Sequence, residues 1–179
     1  MLSRIVLIAV TAVTVLADVR NCICDTGSPS AAAVSGCSLC LEADKHPASE
    51  TIILVRDKDP LKPNRWLALP RARYDGANFL AQMAPAERLL LWNTAIGKAK
   101  EVWRDEWGIA MNGDVARRQC HAHVHIGKLI EPENDRGIYV DGPESLPVPA
   151  DEAGYWFHPV GNRLHVHSGE QNNERTLLK

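Results

Sequence analysis

The chain of 179 residues carries 20 Lys and Arg against 22 Asp and Glu, a formal charge of -2, with 45% apolar and 23% charged residues. That length and composition fit one domain with a full core, whereas a protein coating nucleic acid would be strongly basic and is excluded. Any anionic ligand must therefore be held by a local group of donors, and the five Trp leave a stacking surface for a base available.

Residues 1–17 carry one positive charge, Arg4, ahead of a 13-residue apolar run from Ile5 to Ala17. This is shorter than the roughly 20 residues of a spanning helix. With Val15 and Ala17 at the −3 and −1 positions it has the pattern of a secretory signal and predicts export. An uncleaved signal would leave the protein membrane-associated, and a buried N-terminal strand is the competing reading. Residues 18–36 form a cysteine-containing linker. Cys22, Cys24, Cys37 and Cys40 cluster there and just beyond it, and Cys120 stands alone downstream. In an exported chain two disulfides would staple this segment to the domain, with the pairing left open. Cys37-Ser-Leu-Cys40 with His46 is the alternative, half of a zinc site.

The remainder reads as α+β. Strands are expected over 50–56 and 65–69, the second stopped by Pro70, with a two-proline turn between them. A helix starts at Pro85, carries Leu89, Trp92, Ile96, Ala99 and Trp103 at three-and-four spacing, and should end near Gly108. Two further strands follow, over 109–112 and 121–129. Residues 131–153, rich in Pro, Gly and acid, read as a surface loop. Tyr155 to Val160 and Arg163 to His167 flank Gly161-Asn162, a pair suited to a two-residue hairpin turn.

The chemistry concentrates in Cys120-His121-Ala122-His123-Val124-His125-Ile126. In a strand, alternate residues share a face, so three imidazoles line up while Ala122, Val124 and Ile126 face the core. Clusters of this kind mark functional sites. Two of the rings could bind zinc with a third ligand from elsewhere. The outer pair, about 13 Å apart in an extended strand, cannot share one ion. The other reading is covalent catalysis, one imidazole attacking phosphorus while its neighbours set tautomer and charge. Asn112, Arg117, Arg118 and Gln119 lie just upstream as donors for phosphoryl oxygens.

The segment Gln119-Cys-His121-Ala-His123-Val-His125-Ile resembles the signature of the histidine-triad (HIT) superfamily of nucleotide hydrolases and transferases. Trp66-Leu-Ala-Leu-Pro70 and Met111-Asn112-Gly113 are similar to the family's strand ending in Pro and to its Asn-Gly before the triad. The resemblance spans roughly residues 37–130 and implies a HIT-like antiparallel sheet with one long helix packed on it. To this the chain adds its C-terminal β-hairpin, giving a domain over 37–179. It also implies that His123 is the nucleophile toward an α-phosphorus and that His121 orients through its ring N–H. His125 and Gln119 would bind the phosphate or bridging oxygen, and Asn112 would hold the loop or a phosphate oxygen. That scheme calls for no metal or other cofactor. Residues 70–76, Cys40-Leu-Glu-Ala-Asp44 and the export signal look most like the CDP-diacylglycerol pyrophosphatase branch, which releases CMP and phosphatidate. Arg73 stands near the place where many intracellular members carry a His, so the ligand set of the zinc-binding members is incomplete; Arg73 could instead pair with a phosphate. Homodimers are common in the family.

In the tail, His165 and His167 share a face of the last strand, with His158 on its hairpin partner. Three readings stay open: a sheet edge blunted by polar residues, a lid or base-binding wall over the triad with Trp156 for stacking, or a metal set of His165, His167 and Glu170. The expectation is thus an exported phosphohydrolase acting on a small nucleotide conjugate, which a nucleotide-linked lipid would also satisfy, with no nucleic-acid partner. A zinc enzyme using triad and tail histidines, or a nucleotide-binding protein without turnover, are the alternatives.

Overall fold

The computed structural model describes residues 19, 22, 24–28, 36–74, 76–130, 136–150 and 152–179; residues 1–17, read above as a secretory signal, and most of the linker lie outside them. Seven strands form one antiparallel sheet: β1 (Ile52–Arg56), β2 (Trp66–Pro70), β3 (Trp107–Met111), β4 (Val124–Lys128), β5 (Ile138–Val140), β6 (Tyr155–Val160) and β7 (Arg163–Ser168), in the order β1-β2-β4-β3-β6-β7-β5. Helices α1 (Ser38–Ala43), α2 (Phe79–Gln82) and α3 (Pro85–Trp103), with 3-10 turns at Pro143–Ser145 and Asn173–Thr176, give an α+β architecture among the described residues.

The long helix α3 covers one face. Its stripe of Leu91, Trp92, Ala95 and Ala99 meets Ala68, Ile109, Val124, Ile126, Phe157 and Val166, with Ala122 in the same core. Trp92 lies against the rings of Tyr155 and Phe157 at 5.7 and 5.6 Å. Leu89, expected in that stripe, is only half-buried, because Leu91 takes the inward position.

The opposite face is covered in pieces. Helix α1 places Leu39 and Ala43 on Ile53, Leu67 and Leu69 of β1 and β2. Over β3 and β4 the cover is the C-terminal segment. Gly108 and Gly127 stand directly opposite each other in the ladder and leave the backbone bare. Leu177 packs into that space, and a Cβ on Gly108 would come within 2.7 Å of it. Helix α3 stops short of Gly108. The helix closes at Trp103, Arg104 turns the chain at φ +55°, and Trp107 and Gly108 belong to β3.

One side chain fastens this tail. Arg65, 1% exposed, donates Nε–H to the Leu178 carbonyl at 3.1 Å, Nη1–H to Glu174 Oε2 at 2.6 Å, and Nη2–H to the carbonyls of Glu174 and Leu177, each at 2.6 Å. A planar fork with five donors suits such a convergence of acceptors.

Two disulfides, Cys22–Cys120 and Cys24–Cys37, tie the N-terminal segment to α1 and to the loop before β4. Cys120 is therefore a disulfide partner rather than a lone thiol. Its backbone N–H also donates to the Gly36 carbonyl at 2.8 Å. Cys37 is committed to Cys24, and His46 pairs with Glu50 at 2.8 Å, so the zinc half-site with Cys40 does not form. Disulfides of this kind point to an oxidising, exported environment. No helix among the described residues is long and apolar enough to cross a membrane. The stretch read as a loop, 131–153, contributes β5, which pairs with β7 in register Tyr139↔His165.

Replacing Arg65 with Ala leaves a buried carboxylate contact and three carbonyls short of a donor. The expected loss is about 3 kcal/mol or more of unfolding free energy in urea. Reducing the disulfides should also destabilise the fold, by about 4.7 kcal/mol on chain entropy for the 98-residue separation between Cys22 and Cys120 alone. Comparing urea midpoints with and without a reductant measures it.

Candidate active site

Strand β4 begins at Val124, so His121 and His123 precede it and only His125 lies within the ladder. The alternation survives. Ala122, Val124 and Ile126 are fully buried under α3, while His123 and His125 line a cavity of about 320 Å³ on the other face. The cavity wall also includes Ser38 and Leu39 of α1, Leu67 of β2, the turn residues Lys58 and Lys62, Asn112, Arg118, Gln119, and Glu174 from the tail.

His123 is held in one tautomer. Its Nδ1 lies 2.8 Å from the His121 carbonyl, which can only accept, so Nδ1 carries the proton and Nε2 the lone pair. Burial pushes its pKa well below the usual imidazole value, with neighbouring His125 adding to the effect. The ring is neutral at neutral pH, the form a nucleophile needs.

His125 packs edge-on against His123, ring centroids 4.9 Å apart. Its Nδ1 sits 3.6 Å from Glu174 Oε2. Burial lowers the His125 pKa to about 4, against the pull of the Glu174 charge. Burial pushes the Glu174 carboxyl up, but His125, Lys62 and Arg65 outweigh it and hold the pKa at about 2. Glu174 accepts from Lys62 Nζ at 2.7 Å and from Arg65 at 2.6 Å, so a fixed negative charge stands beside the second imidazole.

The other expected site residues divide. Asn112 Oδ1 accepts the Glu174 N–H at 2.9 Å, joining the end of β3 to the tail at the cavity wall. Gln119 Oε1 accepts from Ser38 Oγ at 2.9 Å and the Leu39 N–H at 3.3 Å, which leaves its amide N–H donors uncommitted by those two bonds. Arg118 lines the cavity, is exposed, and has no carboxylate partner among the described residues.

His121 is turned away. Its ring Nε2–H donates to the Pro70 carbonyl at 2.7 Å, and the ring lies with Arg73, Tyr74 and the disulfides of Cys22 and Cys24 around a crevice of about 10 Å³. What His121 supplies to His123 is its backbone carbonyl; the orienting role expected of its ring N–H is not available there. Arg73 also lies outside the cavity. It donates to the Cys24 carbonyl at 3.0 Å, to Thr26, and to Asp44 at 2.5 Å, so its charge is answered locally. Arg117 is buried on Asp114 at 2.9 Å and is a structural cation.

Sequence reasoning missed Lys62 and Glu174. Each is one charged residue in a polar stretch, 112 positions apart, and neither carries a periodic or motif signal.

The tail histidines do not join the triad. β6 pairs with β3 and β7 with β6, so the hairpin is part of the sheet and not a lid; nor is it the edge, which β5 occupies. A row of directly opposed residues runs Leu67, His125, Ala110, Trp156, His167 across the sheet. His125 and His167 are three strand spacings apart, about 14 Å, too far for one ion. Glu170, expected beside them, is bound to Arg175 at 2.6 Å.

No model of a known protein family matches the chain, and no curated protein matches its sequence.

The pH dependence of stability follows from these buried rings. His125 is neutral in the fold down to about pH 4 but takes up a proton in the unfolded chain below about 6.5. Its contribution is complete above pH 6.5 and is lost as the pH falls toward 4. Urea unfolding at intervals between pH 7 and 4 should show His125→Asn with the shallower slope, by up to about 1.4 kcal/mol per pH unit.

Proposed function

We propose that the protein is an exported phosphohydrolase of the histidine-triad type, cleaving a nucleoside-diphosphate-linked substrate at its α-phosphorus through His123. The observation that carries this reading is the fixed His123 tautomer, Nδ1–H on the His121 carbonyl, on the wall of a cavity with cationic and amide donors. The motif Gln119 to His125 with Asn112 upstream supports it from the sequence, and the two disulfides and the segment 1–17 support export.

In this mechanism the Nε2 lone pair of His123 attacks phosphorus. The P–N bond forms as the P–O bond to the leaving phosphate breaks, and that electron pair departs with the oxygen. The ring becomes a phosphorylated imidazolium whose Nδ1–H stays on the His121 carbonyl, so the developing positive charge keeps an acceptor. Arg118 and the Gln119 amide face the charge on the phosphoryl oxygens, a task that rests on positioning and electrostatics. Glu174 fixes the environment of His125, which neighbours the attacking ring. Water then attacks phosphorus, the P–N pair returns to Nε2, and a proton passes to solvent. CDP-diacylglycerol, split into CMP and phosphatidate, is the substrate that the resemblance of residues 40–44 and 70–76 favours.

A product screen over nucleotide conjugates that includes CDP-diacylglycerol tests the reading. His123→Ala should abolish turnover, by about 10⁴-fold or more given what nucleophile removal costs elsewhere, while its urea midpoint shows it folded. Turnover in that variant, or binding without any product in the wild type, would reject the proposal. His121→Gln should retain substantial kcat and Arg73→Gln should leave KM close to wild type, whereas Arg118→Gln should raise KM. Steady-state kinetics on the best substrate of the screen separate them.

A further inference from the structure

Three imidazoles on the hairpin form a cluster that the phosphoryl-transfer reading does not use. His158 and His165 are directly opposed across β6 and β7, and His167 lies two residues beyond His165 on the same face. Their ring centroids are 4.1 to 5.7 Å apart. One ligand nitrogen from each lies within 4.8 Å of the other two. All three residues are buried, at 7%, 3% and 6% exposure, and Nε2 of each has no hydrogen-bond partner among the described residues.

Three adjacent buried nitrogens without partners are a costly arrangement for a fold to keep. Apolar residues at these positions would pack without that cost, and an exposed polar blunting of the edge is excluded because β5 covers it. We propose that His158, His165 and His167 bind one zinc-class divalent metal ion through their Nε2 atoms. Neutral imidazoles are the ligands such ions prefer, and a three-nitrogen set leaves a fourth position for water or another donor.

The surroundings support that use. Trp156 stacks flat on His167 at 3.8 Å and Tyr139 on His165 at 4.3 Å, so both rings are held in plane by their cross-strand neighbours. A Cβ on Gly137 would lie 2.5 Å from the Val166 carbonyl oxygen and 2.6 Å from His165 Nε2, so only a glycine lets the backbone close over that ring. Tetrahedral ligands sit about 3.4 Å apart at zinc–nitrogen distances, so a bound ion would draw the three rings together from a spacing of at most 4.8 Å between one nitrogen of each.

The test uses the full chain, stripped with a chelator and titrated with Zn²⁺ and with Co²⁺. One equivalent should bind with Kd below about 1 µM, Co²⁺ should give the intense visible absorption of a four-coordinate site, and Zn²⁺ should raise the thermal midpoint. His165→Ala and the milder His167→Gln should each weaken binding at least about 100-fold, while His123→Ala should bind as the wild type does. Uptake well below one equivalent by the wild type, a Kd weaker than about 100 µM, or affinity retained in both tail variants would overturn the site. If either tail variant fails to fold, long-range imidazole ¹⁵N spectra of the wild type decide. A Zn²⁺-dependent Nε2 shift in three rings, present also in His123→Ala, supports it; no shift, or a shift lost in His123→Ala, refutes it. Because His123→Ala is the inactive variant of the phosphohydrolase reading, the two proposals fail independently.

Discussion

The convergence of the tail on Arg65 is the interaction on which the site depends. A guanidinium removed from water is stable only where its donors are answered, and here every acceptor comes from residues 174–178. That same clamp places the Glu174 carboxylate beside His125 and lets the Glu174 N–H close on Asn112. Cavity and tail are therefore one structure: the segment that covers the bare strip over Gly108 and Gly127 also supplies a charge to the cavity wall.

Within that frame the two sides of the sheet do different work. The α3 side is a continuous apolar core into which Ala122, Val124 and Ile126 project. The opposite side is divided by the tail, with the His123 and His125 cavity toward β2 and the three-histidine cluster toward β7. Trp156, stacked on His167 and in contact with Leu177, is the packed partition between them. On the cavity side, burial lowers the pKa of His123 and His125, a condition suited to a nucleophile.

The disulfides bear on the same geometry. Cys120 adjoins the triad, and its bond to Cys22 with the Cys120 N–H on Gly36 fixes the chain where His121 must present its carbonyl. The ring of His121, shielded behind that knot, is spent on Pro70. Of the three imidazole residues, His121 meets His123 through its backbone carbonyl, with its own ring on the Pro70 carbonyl.

Local pattern carried the α+β class, the Gly161-Asn162 hairpin, the start of the long helix at Pro85 and the inward set of Ala122, Val124 and Ile126, because periodicity and turn chemistry act within a few residues. It also singled out His123, His125, Asn112, Gln119 and Arg118, which the fold brings to one cavity. Tertiary structure alone decided the end of α3, the strand β5, the pairing of Cys120, the withdrawal of His121 and Arg73, and the entry of Lys62 and Glu174. Each of these depends on contacts between segments far apart in the chain. Leu177 needs Gly108, β5 needs β7, Asp44 takes Arg73, and Arg65 takes the tail. Such long-range pairings leave no period in the sequence, since the free energy that selects them arises only once the chain has closed on itself.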